Sequence, residues 1–286
     1  MDKKKIILIF VLISVILIFN CIKLLNNVGV YFYENDQNKL ADFFLKSSLY
    51  LDENNEKYST DLALNYYAIY DLNNSKKYFF KSLIINSNSS MANSGLANVY
   101  LYEGDLDKFK HYYNKSFMLG MKKDPWFYHS IGTTYFSLGL FNQSASMFER
   151  ANNLIKSDRI YSDLGWSYYE LRDYKKAYLM FNDSVKLNPN NFHATAGVGT
   201  MYALQNKTKQ AEEYYFKTIK INPDHKLSYY RLGRLYYKLG ELTKSKEFLN
   251  KSITLALKSY NTAMDFKSII SSYQLMGIIY LKEKNL

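Results

Sequence analysis

The stretch DLGWSYYELRDYKKAYLMFNDS, residues 163–184, decides the fold of this 286-residue chain. Within it, Gly165 is followed by an aromatic residue three positions later, and then by Ala177, Phe181 and Ser184. Offsets of three and four place such residues on one face of a helix. Large side chains opposite small ones let two helices pack at axis separations of about 8–10 Å. The stretch therefore predicts two antiparallel helices joined by a tight turn.

The pairing of a small residue with an aromatic residue three positions later recurs along the whole chain. The pairs are Gly29/Phe32, Ala63/Tyr66, Ala97/Tyr100, Gly132/Tyr135, Gly165/Tyr168, Gly199/Tyr202, Gly233/Tyr236 and Gly277/Tyr280. Successive pairs are 33–35 residues apart, except the last, which follows after 44 residues. A constant period of this length indicates stacked helical units rather than one globular core. Such stacks form extended binding surfaces, which favours binding over catalysis as the function.

The unit around Gly165 resembles a tetratricopeptide repeat, through Trp166 and Tyr168 in its first helix and Pro189 after its second. The next unit shares this pattern and has Pro223 after its second helix, where proline cannot continue the helix. The units run approximately over residues 22–55, 56–89, 90–124, 125–157, 158–191, 192–225 and 226–259. The resemblance implies an all-α fold. The implied architecture is a right-handed α-solenoid of about seven helix-turn-helix repeats plus a C-terminal capping helix, preceded by an N-terminal hydrophobic helix.

The sequence therefore predicts three segments. Residues 1–21 form a signal anchor or lipoprotein signal, residues 22–269 form the solenoid, and residues 270–286 form the capping helix. About ten extra residues precede the last small-aromatic pair, which indicates an elongated helix or loop before the cap. Repeat stacks need such atypical ends, because the last apolar face must be covered.

The N-terminus has the layout of an export signal. Three lysines at residues 3–5 precede Ile6–Phe19, fourteen residues without a charge. Counted as residues 6–22, the apolar run reaches the lower length limit for a membrane-spanning helix. The lysines would hold the N-terminus in the cytoplasm. We expect an uncleaved membrane anchor with the solenoid outside the cytoplasmic membrane of a bacterial cell envelope. Lipidation at Cys21 and cleavage to a secreted form are the alternatives.

No residue pattern indicates catalysis. The four histidines are His111, His129, His193 and His225, and none pairs with another histidine or a cysteine at metal-ligand spacing. The sequence has no glycine-rich phosphate loop and no nucleophile elbow. Its single cysteine excludes an intramolecular disulfide. We expect neither enzymatic activity nor a cofactor or metal.

The expected binding surface follows from the resemblance. The first helix of each repeat lines the concave surface, and positions two, five, nine and twelve of each unit project there. The partner-binding residues chosen in this way are Trp126, His129, Phe136, Arg159, Trp166, Tyr169, His193, Tyr230, Arg234 and Tyr237. Large aromatic residues beside arginine resemble binding hot spots, although each ring could instead pack against a neighbouring repeat.

Some family members grip a C-terminal carboxylate with a set of Lys, Asn and Arg side chains. In this chain Arg231 occupies one suitable position, but Ser162, Trp166 and Leu227 occupy partnering positions. The expected ligand is therefore an extended or helical peptide with apolar side chains. The leading functional prediction is a membrane-tethered adaptor that binds a protein partner.

Positive charge is concentrated at the C-terminal end. The net charge is +11, and residues 226–286 contribute +7 from eleven basic and four acidic residues. A solvated helical face accounts for such a pattern. The functional alternative is an acidic protein partner, an anionic lipid or a nucleic acid. The export signal argues against nucleic acid, because an exported solenoid would not meet it.

Overall fold

A computed structural model describes residues 3–35, 37–258 and 263–284, with side chains placed for residues 17–35, 37–258 and 269–283. The described residues form fifteen α-helices and one short 3₁₀ helix, without a strand. The chain divides into two compact units, Met1–Phe127 and Tyr128–Leu286.

The first unit consists of paired helices. They are α1 (Lys3–Glu34), α2 (Asn38–Leu51), α3 (Glu56–Ala68), α4 (Leu72–Ile85), α5 (Ser90–Glu103) and α6 (Leu106–Met118), followed by the 3₁₀ helix Met121–Lys123. Helix α1 packs on α2, α3 on α4 and α5 on α6. The first helices of the second and third repeats therefore begin at Glu56 and Ser90, the first residues of units that the sequence predicts.

The second unit continues this arrangement. Its helices are α7 (Pro125–Ser137), which begins just before the unit boundary, α8 (Phe141–Leu154), α9 (Asp158–Glu170), α10 (Tyr174–Leu187), α11 (Phe192–Leu204), α12 (Thr208–Ile221), α13 (Lys226–Lys238), α14 (Leu242–Lys258) and α15 (Ala263–Lys284). Helix α15 packs on α14 and α13. It begins at Ala263, seven residues before the capping helix expected from the sequence.

The small residues of the first helices face large residues of the second helices, as the sequence predicts. A Cβ atom on Gly165 would lie 2.7 Å from the Phe181 ring, and one on Gly197 would lie 2.5 Å from the same ring. The Phe181 ring therefore fills the space between Gly165 on α9 and Gly197 on α11. It leaves no room for a methyl group on either glycine. The same relation holds for Gly29/Leu45, Gly132/Phe148, Gly199/Tyr215 and Gly233/Leu249. Gly277 differs, because a Cβ atom there would meet none of the described atoms within 4 Å.

Serines at small positions of the second helices hydrogen-bond back to the first helices. The Ser144 hydroxyl donates to the Gly132 carbonyl over 2.9 Å, and the Ser245 hydroxyl donates to the Gly233 carbonyl over 2.8 Å. Both serines are buried. These bonds satisfy hydroxyls that would otherwise be costly to bury.

Among the described residues, the turn after the first helix places one residue in the left-handed region in six repeats. Three of these residues are glycines, Gly104, Gly139 and Gly240, and three are not: Tyr70, Arg172 and Asn206, with φ of 60°, 62° and 56°. Each lies seven positions after the small residue of its repeat. Glycine adopts this conformation without strain, whereas a Cβ atom makes it costly.

Helix α1 is continuous from the predicted anchor into the first helix of the first repeat. It runs from Lys3 to Glu34, so no helix boundary falls at residue 21 or 22, and Cys21 is exposed within it. The side chains of residues 1–16, which carry most of the apolar run, lie outside the described residues. In the part of the chain that the structure describes, no helix is long and apolar enough to cross a membrane.

Candidate functional site

Aromatic residues predicted from the sequence meet an arginine on the first helices of the second unit. Trp166 and Tyr169 lie on α9, with ring centroids 5.4 Å apart in an edge-to-face arrangement. The Arg231 guanidinium, on α13, lies over the Trp166 ring with Cζ 4.7 Å from its centroid. Arg231 was not among the predicted partner-binding residues. We call Trp166, Tyr169 and Arg231 the Arg231 cluster.

The composition of α11 explains how Arg231 reaches Trp166. Between α9 and α13 in the chain, residues 194–200 of α11 read ATAGVGT and are all buried. Helix α11 also contacts α9 directly. Because this stretch carries no large side chain, the long side chain of Arg231 extends from α13 to the indole ring on α9. The three first helices thus form one surface with an aromatic wall and a cation.

Arg231 is held in an unusual electrostatic state. The residue is partly exposed, but its Nη1 atom is buried and has no hydrogen-bond partner among the described residues. Burial lowers the pKa of Arg231, while the nearby Tyr215 and Tyr169 oppose that shift. Arginine keeps its charge in proteins. Within the part of the chain that the structure describes, the cluster therefore contains a desolvated cation without an ion pair, which costs free energy in the unbound protein.

The surroundings of the cluster are also aromatic and basic. Arg234 is exposed, with Cζ 5.8 Å from the centroid of the Tyr230 ring. His193, exposed on α11, has its ring centroid 5.8 Å from that of His225. Burial, followed by the positive groups Arg231, His193 and Lys226, lowers the pKa of His225 to about 3. His225 is therefore neutral at physiological pH.

His129 lies in the interior, contrary to its expected place on an open surface. It is 6% exposed, and its Nε2 atom is 2.7 Å from Asp163 Oδ2. Its ring centroid lies 5.4 Å from that of Phe148. The bond to Asp163 links α7 to α9 and satisfies an imidazole nitrogen in the packed interior. The packing alternative therefore applies to His129, whose role in partner binding stays a prediction.

The remaining predicted residues divide between surface and packing. Trp126 is 45% exposed at the start of α7, Arg159 is exposed, and Phe136 contacts Phe141 edge to face at 5.3 Å. Tyr230 and Tyr237 pack against an apolar cluster formed with α15. The cluster consists of Leu249, Ile253, Met276 and Ile279. The packing alternative considered for each ring therefore applies to both tyrosines, and in part to Trp166 and Tyr169, which pack against the core cluster that contains Phe181.

The described side chains contain no group of three or more His, Cys, Asp and Glu residues arranged to hold a metal ion. What the Arg231 cluster offers chemically is a flat aromatic wall beside a positive charge. Such surfaces anchor ligands by ring contact and charge-assisted hydrogen bonds.

Comparison with family models identifies the repeats. Tetratricopeptide repeat models match residues 159–191 and 227–259, less than half of the chain. The chain therefore contains tetratricopeptide repeats, and the Arg231 cluster joins the first helices of the two matched repeats. The other repeats rest on the sequence period and the helix pairs.

Similar proteins confirm the fold at this level. The uncharacterized protein ycf37 of Guillardia theta is 23% identical over 114 residues, which is 38% of this chain and 64% of that protein, so the chain spans less than two thirds of its length. The crystal structure of the APC/C hetero-tetramer Cut9-Hcn1 gives a TM-score of 0.63 at 14% identity, covering 84% of this chain and 47% of that one. Pseudomonas aeruginosa pilF gives 0.54 at 16% identity, covering 77% and 98%. At identities this low, the TM-scores show that the proteins share a helical-repeat fold and nothing more.

Proposed function

We propose that this tetratricopeptide-repeat chain is an adaptor that binds a peptide segment of a protein partner on the surface of α9, α11 and α13. Proteins with such repeats bind protein or peptide partners, and their repeats form extended surfaces. The observation that carries the proposal is the Arg231 cluster. Tryptophan, tyrosine and arginine are the residue types enriched at the centres of binding interfaces.

The small side chains of α11 support an elongated ligand. Because these side chains are small, α11 forms a shallow floor between the aromatic residues of α9 and the arginines of α13. A peptide lying there can contact all three helices through its side chains. Recognition of this kind uses a few apolar anchors, as in other peptide-in-groove complexes.

The test is a cross-linked pull-down with the full-length protein, comparing the wild type with Trp166→Ala. We expect a defined protein partner that is lost in the variant. Leu179→Ala is the matched control, since Leu179 is 50% exposed on the second helix α10 and lies outside the proposed surface. Circular dichroism melts of both variants separate lost binding from lost folding. Equal recovery of the partner by wild type and folded Trp166→Ala would reject this surface.

We further propose that the N-terminal segment tethers the adaptor to a membrane, with the repeats outside the cytoplasmic membrane. The lysines at residues 3–5 and the apolar run of residues 6–22 support this arrangement. Leu17, Ile18 and Phe19 on α1 are 59%, 59% and 61% exposed, so no described part of the protein covers them. Cell fractionation with carbonate extraction, followed by protease treatment of spheroplasts, tests both parts. A protein released by carbonate, or protected from external protease, contradicts them.

Lipidation at Cys21 is a distinct form of the same tether. Radiolabelled palmitate entering the wild type and lost in Cys21→Ala would establish it in place of an uncleaved anchor. The label should be absent from both proteins if the segment is retained as a helix. Cys21→Ser provides a matched control for loss of the thiol with little change in size.

A second candidate function uses the basic C-terminal end to bind an acidic partner or an anionic lipid. Its support is the net charge of +7 over residues 226–286. Part of that charge is balanced locally, because Lys244 pairs with Glu241 at 2.6 Å and Lys246 with Glu283 at 2.7 Å. Binding to vesicles of phosphatidylglycerol but not phosphatidylcholine, lost at high salt, would favour this function.

A further inference from the structure

We infer that Arg231 binds the side-chain carboxylate of an aspartate or glutamate within the partner peptide, next to an apolar residue that contacts Trp166. The inference rests on the proposed function and adds the chemistry of one residue in the ligand. It concerns an acidic side chain inside the peptide, not the end of a chain.

The first argument is the missing ion pair. Several lysines of the second unit have acidic partners, among them Lys244 and Glu241 at 2.6 Å, Lys246 and Glu283 at 2.7 Å, and Lys186 and Asp183 at 3.0 Å. Arg231 has a buried Nη1 atom without a hydrogen-bond partner, and no acid within the described residues pairs with its guanidinium. A bound carboxylate would offset the free-energy cost of desolvating the guanidinium, and this offset would contribute to the affinity for the peptide.

The second argument is the placement of the guanidinium. With its Cζ atom 4.7 Å from the centre of the Trp166 ring, the group is oriented by the indole. The residue keeps partial exposure, so an anion on the surface can approach its remaining N–H groups. A planar guanidinium fixed in this way presents paired donors that match the two oxygens of a carboxylate.

The third argument concerns the neighbours of the cation. Trp166 and Tyr169 stand beside it, and Arg234 adds a second positive charge on α13. This combination suits an acidic residue flanked by an apolar one. Ser162 and Leu227, one turn away on the same helices, offer no additional cation or amide to surround the doubly coordinated end of a chain. One internal carboxylate therefore matches one orphan guanidinium.

The experiment is a selection of random twelve-residue peptides displayed on phage, against the full-length protein. Display fuses the C-terminus of each peptide to the coat protein, so no free terminal carboxylate is available. We expect enriched peptides to share an Asp or Glu beside an apolar residue. A synthetic copy capped at both ends should bind roughly tenfold more weakly when that Glu is replaced by Gln, as expected for loss of a charged hydrogen bond.

Variants then assign the effect to Arg231. In Arg231→Met the Glu and Gln peptides should bind within about threefold of each other, as loss of the charged contact requires. Lys238→Met removes the same charge from an exposed position of the same helix and should keep the roughly tenfold preference. Arg231→Lys keeps the charge without the planar fork and should give an intermediate preference.

The outcomes separate this inference from the proposed function. Peptides that need Trp166 but show no acidic preference, or a preference retained in Arg231→Met, overturn the carboxylate assignment and leave the binding surface intact. Binding restored only by a free C-terminal carboxylate also overturns it, because the anion is then the chain end. Failure of Trp166→Ala to weaken any selected peptide would reject the surface itself.

Discussion

The guanidinium of Arg231 lies over the Trp166 ring, and no anionic side chain among the described residues pairs with it, although desolvating an unpaired charge is among the larger costs in folding. We therefore predict that Arg231→Met leaves the free energy of unfolding unchanged or raises it by about 1 kcal/mol or more, because an apolar side chain suits the partly buried position better. Urea denaturation at constant m-value measures the change.

Lys238→Met is the control for this stability prediction. Its side chain is exposed on the same helix, and it should change stability by no more than about 0.5 kcal/mol. A loss of more than about 1 kcal/mol in Arg231→Met would mean that the cation has a stabilising partner in the free protein. Taken with weaker peptide binding, a stabilised Arg231→Met would show that this position serves recognition at the expense of folding.

Two glycines in helices respond in opposite ways to the same substitution. In Gly165→Ala the new methyl group would lie 2.7 Å from the Phe181 ring, so α9 and α10 must separate, at a cost of about 1–3 kcal/mol. In Gly277→Ala the methyl group meets no atom within 4 Å, and the better helix propensity of alanine should add about 0.8 kcal/mol. Thermal melts of both variants test this, and stabilisation by Gly165→Ala would show that Phe181 yields easily.

At the scale of the helix and its turn, the left-handed residue after each first helix gives a further prediction. Arg172→Gly should raise the free energy of unfolding by up to about 1 kcal/mol, because glycine relieves the strain of φ 62° but costs more entropy in the unfolded chain. Gly139→Ala at the equivalent turn should lower it by about 1 kcal/mol, since φ there is 74°. Equal responses at the two turns would contradict a common backbone requirement.

The start of α13 carries a pH dependence. His225 precedes the helix, and burial beside Arg231, His193 and Lys226 lowers its pKa from 6.5 to about 3. Between these values the unfolded state binds the proton more readily, so stability falls as pH decreases below about 6.5. From pH 7.5 to pH 5.0, the wild type should lose at most about 2 kcal/mol through this residue.

The pH prediction requires a difference between variants, because acidic residues also titrate. His225→Asn retains a side chain that can cap α13 and should lose less stability than the wild type over the same interval. His111→Asn, at an exposed position on α6, should follow the wild type. Urea denaturation of all three proteins at both pH values decides the matter. Parallel losses in His225→Asn and the wild type would place the titrating group elsewhere.

The element scale is also where sequence reasoning succeeded best. The period of small and large residues predicted helix pairs, and the first helices at Asp158, Phe192 and Lys226 start where the units were expected. Packing of Gly165 against Phe181 was predicted too, because both positions follow from helical offsets within one repeat. Contacts within one repeat can be predicted in this way because they depend only on the spacing of residues along the chain.

The candidate site could be predicted only in part. Trp166 and Tyr169 were identified by their positions in the repeat, but the contact between Arg231 and Trp166 spans two repeats and depends on the missing bulk of α11. Burial of His129 depends likewise on Asp163, a residue 34 positions away. The run ATAGVGT, residues 194–200, was the sequence feature that could have predicted the contact. A helix without large side chains lets the side chains of the helices on either side of it meet.

At the scale of the whole molecule, the net charge of +11 invites a test between the two candidate binding modes. Recognition through a single carboxylate at Arg231 should weaken by less than about tenfold between 50 and 500 mM NaCl, because few ions are released. Binding through the basic residues of 226–286 should fall by about a thousandfold, as expected for many phosphate or lipid contacts. Titrations of the same partner at both salt concentrations distinguish the two modes.

The position of Phe181 between Gly165 and Gly197 has a consequence for how the second unit opens. One ring belongs to the packing of two repeats, so neither repeat can detach without leaving a void beside the other. In the first unit, Phe79 packs on Gly95 of the following repeat in the same manner. Amide hydrogens of α9, α10 and α11 should therefore exchange with solvent together, as one cooperative segment, whereas α15, whose Gly277 faces open space, is free to exchange earlier.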